Sequence, residues 1–261
     1  MNDPARGRVA FDFTGMSVLV TGASSGIGYA VAMAFAKAGA DLTILSEKPG
    51  IHDAGRDMGP GVRAIQCDIT DAAMVIDTLA GIARLDVLVN NAGIERPTPL
   101  TGDNPAGNAM FERIIATNVT GTQNVTDTLV GRIADGGRII LTASIWAKTA
   151  VGGFSAYVAS KHANLGLMRT WARELGPRGI TVNAVCPGWV KTGPAMNSLR
   201  EMALAEGRSE DALLGDITGA QAIGGLLIPP DMADAYLFLA SSGGRNITGQ
   251  AINVDRGEVM A

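Results

Sequence analysis

The run Thr21-Gly22-Ala23-Ser24-Ser25-Gly26-Ile27-Gly28 restricts the fold more than any other segment, because of what flanks it. Residues 16–21 before it form a short apolar run. After it, Ile27, Val31 and Phe35 recur at helical spacing until Gly39 supplies a stop. Strand, glycine turn and helix in that order make a phosphate cradle. Gly22 allows the tight turn, Gly26 lets a pyrophosphate approach the backbone, and Gly28 lets helix and strand pack closely. The helix N-terminus adds free N–H groups and the positive end of its dipole. No Gly-Lys-Ser/Thr follows, which excludes the other type of phosphate loop.

The alternation continues along the chain. Buried strands are expected at 41–45, 62–66, 86–89, 138–142, 181–185 and 250–254, with helices near 71–83, 108–133, 154–175 and 230–240. Strands alternating with helices imply βαβ units, a parallel sheet and right-handed crossovers. The 34 glycines and few aromatics (three Trp, three Tyr, six Phe) suit such strands packed tightly against helices. At 261 residues, with no linker or repeat, the expectation is one α/β domain. Two stretches are irregular. Residues 48–61 hold four Gly and two Pro, so the second crossover is abbreviated. Residues 192–225, polar and inserted before the last helix, are expected to form a mobile lid.

Charge and cysteine content narrow the partners. A formal net charge of −4 without a basic run argues against nucleic acid or an anionic membrane. Cys67 and Cys186 end two separate predicted strands and read as buried thiols. His52 and His162 are isolated, so no metal site is expected. Without an apolar core in residues 1–14, or an apolar run of about 20 residues, the expectation is a soluble cytoplasmic protein.

The chemistry-bearing residues fall mainly where strands end. After the second strand, Ser46, Glu47 and Lys48 occupy the position that selects between nicotinamide cofactors. Glu47 would repel a 2′-phosphate, and Ser25 stands where an arginine would welcome one. Lys48 pulls the other way, so NAD is favoured with NADP possible. Asp68 follows Cys67 and suits the adenine amino group or a helix N-cap. Asn90-Asn91-Ala92-Gly93 ends the fourth strand and Pro187-Gly188-Trp189-Val190-Lys191-Thr192 the sixth. Asn118 lies mid-helix, where asparagine is a poor helix former and a buried amide needs partners. In an open parallel sheet, ligands bind outside the carboxyl ends of the strands, so these motifs converge on one site.

Ser144, Tyr157 and Lys161 supply the reactive group. Tyrosine and lysine four residues apart share one helix face. A phenol titrates near pH ~10, and a neighbouring ammonium is expected to pull it towards neutrality. Ser144 can bond the same substrate oxygen.

From residue 16 to residue 257 these motifs together resemble the short-chain dehydrogenase/reductase family. They are Thr21-Gly-x-x-x-Gly26-x-Gly28, Asp68, Asn90-Asn-Ala-Gly93, Asn118, Ser144, Tyr157-x-x-x-Lys161, Pro187-Gly188 and Ile247-Thr248-Gly249-Gln250. The resemblance implies a seven-stranded, doubly wound Rossmann sheet and a bound NAD(H) or NADP(H). It also implies a homotetramer or homodimer and a catalytic tetrad Asn118, Ser144, Tyr157, Lys161. In that tetrad Tyr157 is the general acid/base and Ser144 orients the oxygen. Lys161 binds the nicotinamide ribose and lowers the phenol, and Asn118 holds a proton-relaying water. The cofactor set is Gly22, Ser24, Ser25, Gly26, Ile27, Gly28, Ser46, Glu47, Asp68, Ile69, Asn91, Ala92, Gly93, Pro187, Gly188, Val190 and Thr192, with Tyr157 and Lys161. Departures from the family pattern are the short segments at 48–61 and 71–83, Asp255-Arg256-Gly257 at the last strand, and Ser46-Glu47 itself.

Around the substrate, Trp146, Phe154, Trp189, Glu95 and Arg96 are expected, joined by lid residues such as Met196 and Met202. The reaction implied is interconversion of a secondary alcohol and a ketone, on a small polyol, sugar or hydroxy acid. Reduction of a 3-oxoacyl thioester is the alternative, disfavoured by the short 48–61 segment and the lack of a carrier-docking patch. An NAD(P)-binding sensor without turnover is the alternative of another class; an intact tetrad argues against it.

Overall fold

In the computed structural model, residues 9–101 and 107–260 are described. Seven parallel strands form one sheet in the order β3-β2-β1-β4-β5-β6-β7. They are β1 (Ser17–Thr21), β2 (Asp41–Ser46), β3 (Arg63–Gln66), β4 (Leu85–Asn90), β5 (Ile133–Thr142), β6 (Thr181–Pro187) and β7 (Ala251–Val254). The chain winds outward from β1 to β3, then returns to place β4 on the other side of β1. That reversal opens a crevice at the strand ends, between the glycine turn and the end of β4.

Both faces of the sheet are covered, which is why its strands are almost continuously apolar. On one face α1 (Gly26–Lys37), α2 (Ile51–Met58) and α9 (Ala233–Ala240) pack Val31, Phe35, Ile51, Tyr236 and Leu239 against Val18, Val20, Ile44 and Val89. On the other, α3 (Ala72–Leu79), α5 (Thr122–Leu129) and α6 (Ser155–Leu175) pack Val75, Val125, Leu129, Leu165 and Met168 against Leu19, Leu88, Leu141 and Ala184. Cys67 and Cys186 are free and buried. No helix among the described residues is long and apolar enough to cross a membrane. Among those residues no group of three or more His, Cys, Asp or Glu is placed to hold a metal ion.

The expected helix at 108–133 is not one continuous α-helix. It divides into α4 (Gly107–Ile115), a π-helical turn (Ala116–Gly121) and α5, and a 3-10 turn (Val130–Arg132) leads into β5. Widening at the π turn coincides with Asn118, whose side chain bonds outside the helix. A Cβ on Gly121 would come within 2.6 Å of Ile69, so this stretch also lies close against the β3–α3 loop. Ile133 belongs to β5 because it pairs with Leu85 across an irregularity in the ladder. The helix expected at 71–83 is α3 alone, with the Asp71 carboxylate accepting from Met74 N–H as its N-cap.

Residues 192–225 contain α7 (Gly193–Glu206) and α8 (Glu210–Gly219). Leu199, Ala203 and Leu213 form a small core of their own with Trp189, against which Trp146, Met196 and Met202 pack. The segment is thus seated on the two tryptophans by apolar contact.

Candidate active site

The crevice is one continuous cleft from the glycine turn to α7. The turn is fixed by close backbone approach. Gly22 has φ +68°, and a Cβ there would stand 2.7 Å from Ala92 Cα. A Cβ on Gly28 would overlap Asn91 Nδ2 and the Gly22 carbonyl. Asn91 explains the crowding: its Nδ2 donates to the carbonyls of Thr21 (3.1 Å) and Gly22 (3.3 Å), and its Oδ1 accepts from Thr142 Oγ1 (3.0 Å). Thr21 Oγ1 accepts from the N–H groups of Asn91 and Ala92. Since the Thr142 proton goes to Asn91, Tyr236 must be the donor in its 2.7 Å contact with Thr142. The ends of β1, β4 and β5 are thereby locked together.

The residues present fit a dinucleotide. At the α1 N-terminus Ser25 is extended and makes no side-chain cap, and the first turn carries no acidic residue. Its amides are therefore available to a pyrophosphate, as the glycine spacing requires. At the adenosine end Ser46 Oγ pairs with Ser24 Oγ (3.0 Å) and accepts from Lys48 N–H (3.2 Å). Glu47 is not isolated. Arg113 of α4 reaches it at 2.7 Å and also reaches Asp68 at 3.5 Å. Burial opposes ionisation of Asp68, but the Thr70 amide and hydroxyl and the Arg113 guanidinium hold its carboxyl below the usual range.

At the reacting end, Ser144 follows β5, caps the short 3-10 turn Ile145–Ala147 and accepts from Trp146 N–H at 3.1 Å. Tyr157 and Lys161 project from the first turns of α6 into the cleft. Lys161 Nζ donates to the Thr142 carbonyl at 2.8 Å and lies 5.5 Å from the centroid of the Tyr157 ring. Burial lowers its pKa to about 8, against the charges of Cys186 and Glu95. The lowered phenol expected from the sequence is not found. Burial and the Glu95 carboxylate push the Tyr157 phenol up, and hydrogen bonding from Ser144 opposes them. Four residues of spacing does bring Lys161 Nζ to the ring, but the phenol is governed by desolvation and Glu95 and not by that neighbour.

Every residue of the expected cofactor set lines the cleft, as do Ser144, Trp146, Tyr157, Lys161, Trp189, Glu95 and Arg96. Four of the expected residues do not, and of these Met196 and Met202 pack instead against the small core of α7 and α8. Phe154 is 2% exposed and packs behind Trp146, with ring centroids 5.3 Å apart, so it supports the wall without forming it. Asn118 is fully buried. Its Oδ1 accepts from Ile94 N–H, and its Nδ2 donates to the Ile94 carbonyl and to Ser160 Oγ. That side chain has its bonds filled by protein, and its backbone carbonyl accepts from Thr122 Oγ1 at 2.9 Å.

Sequence reading missed Thr142, Thr21 and Ser160, which brace the site, and Arg113, which pairs both acidic residues of the adenosine end. For Thr21 the signal was its place at the head of the glycine run. For Arg113, on a helix 45 residues beyond Asp68, there was none.

Comparison with known proteins agrees with this architecture. A family model described as Enoyl-(Acyl carrier protein) reductase matches residues 22–258. The uncharacterized oxidoreductase YxjF of Bacillus subtilis (strain 168) is 34% identical over 250 residues, covering 92% of this chain and 96% of that protein. The D-beta-hydroxybutyrate dehydrogenase of Cupriavidus necator is 32% identical over 258 residues, covering 94% and 98%. The 3-oxoacyl-(acyl-carrier-protein) reductase FabG of Rickettsia bellii is 32% identical over 252 residues, covering 95% and 99%. The crystal structure of a blue fluorescent protein from a metagenomic library, in complex with NADPH, superposes with a TM-score of 0.82 at 32% identity, covering 95% of this chain and all of that one. With its doubly wound sheet, its braced glycine turn and its Ser144, Tyr157 and Lys161 around one cleft, the chain belongs to the short-chain dehydrogenase/reductase family of oxidoreductases.

Proposed function

We propose that the protein interconverts a secondary alcohol and a ketone, on a small polyol, sugar or hydroxy acid, with NAD favoured and NADP possible. The single observation that carries this reading is the meeting of Ser144, Tyr157 and Lys161 in the same cleft as an uncapped helix N-terminus suited to a pyrophosphate. The uncapped amides of α1 would hold the pyrophosphate, Glu47 the adenosine ribose, and Lys161 the nicotinamide ribose. When bound, the nicotinamide supplies the hydride acceptor or donor.

The chain's own residues handle the proton. With its phenol held protonated by burial and by Glu95, Tyr157 is set to give that proton to a carbonyl oxygen. Ser144 holds the same oxygen, and oxidation of an alcohol runs the transfer backwards. Asn118 serves the proton path from behind, by fixing Ile94 and Ser160. The two-helix segment at 192–225 closes over the substrate as a lid and excludes water. Dimers or tetramers would form through the α5 and α6 faces and β7.

A screen of polyols, sugars and hydroxy acids with each cofactor, read by absorbance of the reduced nicotinamide, tests the reaction. Tyr157→Phe should cost about 100-fold or more in kcat while cofactor affinity stays unchanged. Turnover surviving that change would overturn the role given to Tyr157. The relative named as a 3-oxoacyl reductase favours a second reading, thioester reduction, so a 3-oxoacyl thioester belongs in the screen.

A further inference from the structure

Glu95 stands at the reacting end of the cleft with its backbone held in place. Asn118 grips the preceding residue, Ile94, by both its N–H and its carbonyl, and the Glu95 carbonyl accepts from Arg96 Nη1 at 2.7 Å. Among the described residues lining that end, the charged side chains are Glu95, Arg96 and Lys161. Neither cation bonds the Glu95 carboxylate; both act on it through charge alone. Lys161 gives one N–H to the Thr142 carbonyl, and the exposed Arg96 turns Nη1 back onto the Glu95 carbonyl. The Glu95 carboxyl therefore faces the substrate without a dedicated counter-ion. Burial pushes its pKa up, opposed by hydrogen bonding from the buried Ser198 hydroxyl of α7 and by the charges of Lys161 and Arg96, with Glu201 adding to the rise. Trp146, which lines the same cleft, meets Tyr157 and Trp189 edge-on, at centroid distances of 5.9 and 6.0 Å. An acidic group sharing a cleft with aromatic rings suits a molecule that offers both hydroxyls and C–H bonds.

We propose that Glu95 is a specificity-determining residue, accepting a hydroxyl borne two carbons along from the reacting carbon and rejecting a carboxylate there. This rests on the dehydrogenase reading above and narrows its substrates to neutral polyols and sugars. A hydroxyl can donate to the carboxylate; a carboxylate cannot, and would leave two like charges facing each other in a desolvated site. The reaction balances as secondary alcohol plus oxidised nicotinamide giving ketone, reduced nicotinamide and one proton.

Butane-1,3-diol and 3-hydroxybutyrate share a skeleton and a reacting carbon and differ only in this group. In the unaltered protein kcat/KM should favour the diol by tenfold or more. In Glu95→Gln, whose cofactor affinity reports an intact fold, that ratio should fall by tenfold or more. Preference for the acid, or an unchanged ratio in the variant, overturns the proposal. Binding of the corresponding ketones, 4-hydroxybutan-2-one and acetoacetate, to the protein loaded with NADH or NADPH reads the same selectivity without turnover, by quenching of nicotinamide fluorescence. Tighter 4-hydroxybutan-2-one binding without turnover of any alcohol would uphold the selectivity and refute the dehydrogenase reading. Acetoacetate binding as tightly or tighter, or binding of neither ketone, refutes the selectivity.

Discussion

Asn118 holds Ile94 by both of its backbone polar groups, accepting from its N–H at 2.8 Å and donating to its carbonyl at 3.0 Å. The remaining amide hydrogen goes to Ser160, whose hydroxyl donates to the Tyr157 carbonyl at 2.7 Å. One buried amide thus ties the loop bearing Glu95 to the helix bearing Tyr157. Asn118 makes these bonds from within the π turn at Ala116–Gly121.

Asn118→Ala should therefore act on both stability and substrate binding. It strands a donor and acceptors in a buried place, each worth about 1–3 kcal/mol. A loss of about 3 kcal/mol in urea unfolding is expected, together with a rise in KM larger than the change in cofactor affinity. Destabilisation below about 1 kcal/mol would show that water replaces the amide without cost.

Lys161 should make folding stability depend on pH. Folding lowers its pKa from 10.5 to about 8, so between those values the unfolded chain binds the extra proton. Stability then rises with pH across that window, by up to about 3 kcal/mol, and the contribution is absent below pH 8 where both forms are protonated. Tyr157 and the thiols of Cys67 and Cys186, all pushed up by burial, act with the opposite sign at the alkaline end. The clean measurement is the difference between the unaltered protein and Lys161→Met in thermal melts from pH 7.5 to 10. That difference should shift in favour of the unaltered protein as pH rises; a constant difference contradicts the argument.

Arg113 should set cofactor choice without setting stability. Its ion pairs with Glu47 and Asp68 are half-exposed, and exposed pairs contribute about 0–1 kcal/mol. Arg113→Ala should leave the melting temperature nearly unchanged. It would, however, leave two carboxylates unneutralised where a 2′-phosphate would sit. The dissociation constant for NADPH should then rise about tenfold more than that for NADH at low salt, and the gap should narrow as salt screens it. Equal weakening of both cofactors would place Arg113 outside the discrimination.

Gly28→Ala tests the closeness of α1 to the end of β4. The new methyl would overlap the Asn91 amide and the Gly22 carbonyl, and neither can retreat without breaking the bonds that fix the glycine turn. A destabilisation of about 1–3 kcal/mol is expected in denaturant titration, with weaker binding of either cofactor. An unchanged midpoint would mean that the helix is free to slide.

The order of strands and helices was legible because each element carries its own period, and the glycine run because only a tight, crowded turn needs that spacing. Tyr157 and Lys161 could be paired from the helix repeat alone. Other features depended on residues far apart in the chain. No local pattern predicts that Arg113 will meet Glu47, since that contact spans 66 residues. The break in the 108–133 helix is of the same kind: propensity marks Asn118 as awkward, but the partner that makes the π turn worthwhile is Ile94, on another strand's exit. The protonation of the pair shows the limit most plainly. The sequence by itself determined that a phenol and an ammonium lie one turn apart. Only the tertiary structure decided that burial and Glu95 govern the phenol, because desolvation is a property of the surroundings that packing creates.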